Sequence, residues 1–270
     1  MRHRFYNEKI VVCGNVLERY EYELPVVKSD RPNRIGRAGQ NETTEETKRL
    51  NRAKVAARAR QKIRRIANAN FSNKSKFITL TFADNVTDIR KANGEFINFR
   101  KRLARFLQID LEYIVTPEFQ KRGAVHYHML MNCPYIEHET LSRLWGHGFV
   151  KINRIDNVDN IGAYLTKYMT KDNMDERLTG QKSYFMSHNL KEPEIATDSE
   201  TINEVLANME VKRIACSSSF ESDYYGTIRY TQYILNAPIC LSDYRKPLIS
   251  ICSPPLWHGK RSSPAVGYSL

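Results

Sequence analysis

The centre of the chain reads Glu112-Tyr-Ile-Val-Thr-Pro-Glu118-Phe-Gln-Lys-Arg-Gly-Ala-Val-His126-Tyr-His128-Met-Leu-Met131. Two runs rich in apolar and β-branched residues, 112–120 and 124–131, flank the tripeptide Lys-Arg-Gly. A glycine supplies the positive φ that a short hairpin loop requires. The pattern therefore predicts two adjacent antiparallel strands joined by a tight loop.

Two histidines on the second predicted strand suggest a metal site. His126 and His128 share one face, because successive side chains of a strand alternate. A three-residue loop would place Glu118 opposite His126, within ~4.5–5.5 Å between Cβ atoms. A two-residue loop would shift the partner by one, and Glu112, with the same strand parity, is the alternative third ligand. Two imidazoles and a carboxylate suit Mg²⁺ or Mn²⁺, of which Mn²⁺ matches imidazole better.

A second group of reactive side chains follows in Tyr164-Leu-Thr-Lys167-Tyr168-Met-Thr-Lys171. Residues four apart on a helix are neighbours, so Tyr164 and Tyr168 would stand one above the other. The lysines lie three and four residues from the tyrosines, where they can hold the oxygens of a phosphate as charge develops on it. A phenol is a weak nucleophile at neutral pH and needs activation.

These motifs resemble those of the HUH endonuclease superfamily. More narrowly, they are similar to the rolling-circle replication initiators (Rep) of small single-stranded DNA phages of the microvirus and inovirus type, and of related plasmids or prophages. Three blocks match in the family's order, and they are the strand 77–82, the stretch 118–128 and the Tyr-x-x-Lys-Tyr-x-x-Lys block. The resemblance covers residues 74–190.

The resemblance implies a nuclease that nicks origin DNA by tyrosine attack on a phosphodiester. The products would be a 5′-phosphotyrosine link and a 3′-hydroxyl that primes rolling-circle replication, and a second tyrosine would rejoin the strand. The expected partners are single-stranded or supercoiled origin DNA, a host helicase and a polymerase. No G-x-x-x-x-G-K-[ST] loop occurs, so we expect no nucleotide cofactor.

The composition agrees with a polyanionic partner. The 270 residues include 42 lysines and arginines against 30 acidic residues, a net charge of +12. Such a balance favours binding to phosphates with release of counterions. The five cysteines form no C-x-x-C pair, and no run reaches the ~20 apolar residues of a membrane span. We expect a cytoplasmic protein with no membrane contact, in the host cell if the gene is carried by a phage.

Residues 46–70 are helical in composition and carry nine basic side chains between positions 48 and 65. Like charges so close together destabilise an isolated helix. They are better explained by a helix that lies along a phosphate backbone. The predicted DNA-binding residues are Lys54, Arg58, Arg60, Lys62, Arg64 and Arg65.

From residue 76 the predicted order of elements is β-α-β-β-α-β-α. This order indicates an α+β fold with a central antiparallel sheet and helices on one face, as in the HUH/Rep type. Asn157 or Asp159 can cap the helix that carries the tyrosines. The predicted organisation has four parts, which are N-terminal strands and a loop (1–45), the basic helix (46–73), the nuclease core (74–195) and a C-terminal region of unknown role (196–270).

Two other functions fit parts of the sequence. A two-tyrosine HUH transposase would use the same motifs, but such proteins are usually larger and carry a zinc-binding segment, and the cysteines here are not clustered. A non-catalytic single-strand binder would use the sheet, Tyr127 and the basic helix for stacking and phosphate contacts.

Overall fold

The structure, a computed structural model, describes residues 5–28, 44–156, 158–167 and 181–244. These residues form two antiparallel sheets of five strands each, together with five α-helices, and confirm the predicted α+β class. The strands are β1 Phe5–Cys13, β2 Val16–Val27, β3 Lys76–Thr81, β4 Glu112–Phe119, β5 Val125–Asn132, β6 Val150–Asn153, β7 Phe185–Met186, β8 Glu194–Ala196, β9 Val211–Ser222 and β10 Gly226–Leu235. The helices are α1 Glu45–Asn70, α2 Ile89–Leu107, α3 His138–Trp145, α4 Ile161–Thr166 and α5 Ser199–Asn208, and a 3-10 helix covers Leu241–Asp243.

The central sheet has the strand order β6-β3-β5-β4-β7. Its chain order from β3 to α4 is the predicted β-α-β-β-α-β-α. One face is apolar because Leu80, Tyr127 and Met129 alternate with polar neighbours, and this face packs against α2 and α3. The apolar stripe of α2 includes Phe96 and Phe99, which lie in the same core.

Helices also contact the opposite face of the central sheet, so the predicted layer on one face was incomplete. There Phe77, Ile114 and Leu130 form a second core with apolar side chains of α1 and α4. The helices cover the end of this face on which Leu130 lies. His126 and His128 share that face and follow towards the other end of β5, beyond the apolar contact. The packing therefore leaves a polar edge beside a helix-covered apolar patch.

The second sheet, called here the terminal sheet, has the order β8-β1-β2-β10-β9. It joins segments from both ends of the chain, which the sequence pattern assigned to separate regions. The predicted turn at Gly14-Asn15 connects β1 to β2, and Gly14 has a φ of 61°. One face packs against α5, and the other receives the C-terminal end of α1. The long strand β9 was not predicted.

Helix α1 connects the two sheets. Its bounds differ by one residue from the predicted 46–70, and the Thr44 side chain accepts a hydrogen bond from the Thr47 amide at its start. The first half of the helix is exposed, whereas Ile63 and Ile66 are buried against the central sheet. Across the described residues, no helix combines the length and the apolarity needed to cross a lipid bilayer.

Candidate functional site

The hairpin of β4 and β5 brings Glu118 directly opposite His126. The loop has three residues, and Gly123 takes a φ of 90°, which a side chain at that position would disfavour. The register is therefore the predicted one. Glu112 pairs instead with Asn132, whose side-chain amide donates a hydrogen bond of 2.6 Å to the Glu112 carboxylate. The structure thus favours Glu118 over Glu112 as the third ligand.

Glu118, His126 and His128 form a compact group in which all possible ligand atoms lie within 4.8 Å of one another. The Glu118 Oε2 atom is 2.8 Å from Nε2 of His126 and 2.6 Å from Nε2 of His128. Neighbouring ligands of an octahedral ion at ~2.0–2.1 Å stand about 2.9 Å apart. The donor set and its spacing therefore fit a small divalent cation.

The surroundings of this triad favour ligation. Although partial burial raises the pKa of Glu118, hydrogen bonds and charges from both imidazoles bring it down to about 2, so the carboxylate is ionised. Burial lowers the pKa of His128, which favours the neutral ring. The Thr79 hydroxyl lies 3.2 Å from Nδ1 of His128 and holds that ring in place. Such outer contacts orient metal ligands.

Two residues beside the triad were not predicted. Thr79 stands opposite His128 on β3, and Thr116 stands opposite His128 on β4. The Thr116 hydroxyl is fully buried and has no hydrogen-bond partner among the described residues. Strand parity could have found it, because Thr116 precedes Glu118 by two positions. A buried hydroxyl without a protein partner is a group that a bound water or phosphate could satisfy.

The tyrosine helix begins at α4. Its N-cap is Asn160 rather than the predicted Asn157 or Asp159, and the Asn160 side chain accepts a hydrogen bond from the Ala163 amide at 2.9 Å. Asn157 lies outside the described residues. Asp159 instead accepts a hydrogen bond of 2.8 Å from the Lys212 ammonium group.

Helix α1 anchors the start of α4. The buried Asn68 accepts a hydrogen bond of 2.7 Å from the Gly162 amide and donates one of 3.0 Å to the Asn160 side chain. The helices approach so closely that a Cβ on Gly162 would lie 2.1 Å from the Arg64 carbonyl oxygen. The position of the tyrosine helix is therefore set by its contact with α1.

Tyr164 is one aromatic ring away from the triad. Its ring centroid lies 5.1 Å from that of Phe77 in an edge-to-face contact, and the Phe77 centroid lies 5.9 Å from that of His128. The Lys167 ammonium group is 5.8 Å from the Tyr164 ring centroid. The structure thus brings one predicted nucleophile and one predicted lysine to the predicted metal ligands. Tyr168 and Lys171 lie outside the described residues.

The basic residues of α1 divide into two groups. Lys54, Arg58 and Lys62 are exposed, and Arg60 is partly exposed. By contrast, Arg64 and Arg65 approach the buried carboxylate of Glu18 at 3.4 and 2.7 Å. The predicted role of these two arginines in DNA binding is therefore replaced by an ion pair within the protein, because burial of Glu18 demands a counter-charge.

Other side chains singled out from the sequence have structural roles. Tyr127 is fully buried, donates a hydrogen bond of 2.8 Å to Asn93 and packs its ring 5.0 Å from that of Phe96. It cannot stack on a base, so the single-strand binder built on Tyr127 is contradicted in that detail.

Comparison with known proteins supports the resemblance. Residues 75–173 match the model of a family described as replication-associated protein ORF2. The matched region contains the triad and both tyrosines, and it confirms the predicted similarity to replication initiators at the level of that family. No curated protein and no solved structure matches the chain.

Proposed function

We propose that the protein starts rolling-circle replication by nicking one DNA strand with a tyrosine. The match to a replication-associated family supports a role in DNA replication. The observation that carries the proposed chemistry is the triad of Glu118, His126 and His128 lying one ring from Tyr164. A donor set suited to a divalent cation beside a phenol is the combination needed to cleave a phosphodiester by transesterification.

The reaction exchanges one phosphoester for another. The Tyr164 phenolic oxygen forms a bond to phosphorus, the bond from phosphorus to the 3′-oxygen breaks, and the phenol's proton is passed through solvent to the leaving 3′-oxygen. Mg²⁺ or Mn²⁺ held by the triad would polarise the scissile phosphate. Lys167, beside the Tyr164 ring, is placed to stabilise negative charge on the phosphate or on the phenolate.

A second tyrosine allows the strand to be rejoined. Termination of rolling-circle synthesis requires a second transesterification while the first phosphotyrosine link still exists. Tyr168, four residues after Tyr164, supplies that nucleophile in our proposal, with Lys171 in the same relation to it as Lys167 to Tyr164. The energy of the broken phosphodiester is kept in the covalent link, so rejoining needs no nucleotide cofactor.

A covalent-capture experiment tests the proposal and does not require the origin sequence. The protein is incubated with a pool of random single-stranded oligonucleotides and Mn²⁺, and then run on a denaturing gel. We expect a shifted, protease-sensitive band that is lost in the double variant Tyr164→Phe/Tyr168→Phe. The control is Tyr135→Phe, a change at an exposed tyrosine that should leave the band intact.

The same experiment separates the alternatives. Retardation on a native gel without any covalent band would favour a non-catalytic single-strand binder. Sequencing of the captured DNA would favour a transposase if it recovers transposon ends, and a replication initiator if it recovers one origin site. A covalent band that persists in the double variant would contradict attack by these tyrosines.

A further inference from the structure

A group of tyrosines covers one face of the terminal sheet, outside the proposed nuclease site. The five tyrosines on this face, called here the tyrosine face, are Tyr6, Tyr20, Tyr22, Tyr225 and Tyr230. Neighbouring ring centroids are 5.0 to 6.5 Å apart. Such a row is unusual for a core, because each phenol needs a polar partner when it is buried.

Helix α1 covers part of this face. Gln61 and Arg65 hydrogen bond to the Tyr20 hydroxyl at 3.2 and 2.7 Å, and Ala69 packs on the apolar cluster. Tyr20 is therefore buried. Tyr22 and Tyr225 are only partly buried, and their rings meet edge to face at 5.8 Å. These two rings lie at the open part of the tyrosine face.

Positive charge accompanies the rings. The Lys9 ammonium group lies 4.5 Å from the Tyr20 centroid and 5.8 Å from that of Tyr22. Lys28 lies 5.8 Å from the Tyr6 centroid. Arg65, at the edge of the covering helix, lies 5.9 Å from the Tyr20 centroid. A ring surface bordered by cations suits a ligand that has flat aromatic groups and negative charges.

The carboxylates of these strands do not oppose such a ligand. Glu8 and Glu21 pair across the opposite face, where Arg19 contacts both of them. Glu18 does lie under the tyrosine face, but Arg64 and Arg65 neutralise it. The net charge presented by the described part of this face is therefore positive.

We infer that the tyrosine face binds single-stranded DNA, with bases stacked on Tyr22 and Tyr225 and phosphates drawn to Lys9 and the basic half of α1. This rests on the proposed function in taking DNA as the partner, and it assigns a second contact site on a separate sheet. The exposed basic residues of α1 lead to Gln61 and Arg65 at the edge of the face, so one strand can follow both.

The protonation of the phenols agrees with a stacking role. Burial, followed by the neighbouring tyrosines, raises the pKa of Tyr22 to about 12, and burial also raises the pKa of Tyr6. These side chains stay neutral near pH 7 and are poor nucleophiles. They are therefore suited to contact with bases and not to strand cleavage.

The test compares the double variant Tyr22→Leu/Tyr225→Leu with Tyr135→Leu, which removes an exposed tyrosine from the central part of the chain. Binding of a fluorescent oligo(dT) is measured by anisotropy in EDTA, so that nicking cannot contribute. Loss of one stacked base weakens binding by roughly 5- to 150-fold. We expect a loss in this range or larger for the double variant, no change for Tyr135→Leu, and much weaker binding of a duplex.

Unchanged affinity in a folded double variant, or equal affinity for the duplex, would overturn the inference. If the double variant does not unfold cooperatively, photo-crosslinking of wild-type protein to bromodeoxyuridine oligonucleotides decides instead. Crosslinks at Tyr22 or Tyr225 support the inference, and crosslinks confined to residues 74–190 refute it. Because binding is measured without a divalent cation, a positive result stands even if covalent capture by Tyr164 fails, and a negative result leaves that capture intact.

Discussion

Replacing Gly162 with alanine should displace the tyrosine helix. The added Cβ would lie 2.1 Å from the Arg64 carbonyl oxygen and 2.7 Å from its carbonyl carbon, whereas ordinary contact begins at 3.4 Å. The helices must therefore separate by about 1.3 Å, since both obstructing atoms belong to backbone. Overpacking of this kind costs about 1–3 kcal/mol, and the gain of up to about 1 kcal/mol from alanine in a helix offsets only part of it.

The consequence for function should exceed the consequence for stability. A misplacement of about 1 Å in a reacting group lowers the rate roughly 100-fold. The Gly162→Ala variant should thus form the covalent DNA adduct about 100-fold more slowly at saturating Mn²⁺ and DNA, while urea unfolding shows a loss of about 1–2 kcal/mol.

Gly94→Ala provides the matched control. Gly94 also lies in a helix, but an added Cβ there meets nothing within 4 Å. That variant should gain up to about 1 kcal/mol and keep the wild-type rate. If Gly162→Ala behaved like Gly94→Ala in both measurements, the claim that α1 positions the tyrosine helix would be refuted.

The His128→Ala variant should weaken Mn²⁺ binding by more than about 100-fold in calorimetry, whereas His138→Ala, whose ring contacts the Val150 carbonyl, should not; equal affinities would remove the triad as the metal site. Changing Lys54 and Arg58 together to glutamine should reduce the log–log salt slope of single-strand binding by about 1.4, and an unaltered slope would exclude phosphate contacts there. Because the pKa of Tyr22 is raised to about 12, its contribution to stability is complete below pH 10 and is lost as the pH rises from 10 to about 12. Tyr22→Phe should flatten the decline of the urea midpoint in that window, and parallel curves for both proteins would contradict the assignment.

Local patterns carried most of the information about the metal site. The register of β4 and β5 follows from a three-residue loop and from alternation, so Glu118, His126 and His128 could be placed on one face from the sequence. The spacing of Tyr164 and Lys167 is equally local. What the sequence did not disclose was Phe77 between His128 and Tyr164, because that contact joins three separate elements.

The terminal sheet was harder to predict for the same reason. Its strands β1 and β2 were recognised, but their partners come from the other end of the chain. Strand β9 is exposed on both faces along almost its whole length, so it shows no alternation of apolar and polar residues. The charge run of α1 likewise gave no sign that Glu18, more than forty residues away, would bind Arg64 and Arg65.

The most direct test of the central claim maps the covalent adduct to a residue. After Mn²⁺-dependent capture, the DNA is trimmed with nuclease and the protein is digested with trypsin, which separates Tyr164 from Tyr168 by cleavage after Lys167. The account predicts a nucleotide mass on Tyr164 or Tyr168, and no adduct in the His128→Ala variant. A nucleotide attached to any other side chain, or an undiminished adduct in that variant, would contradict it.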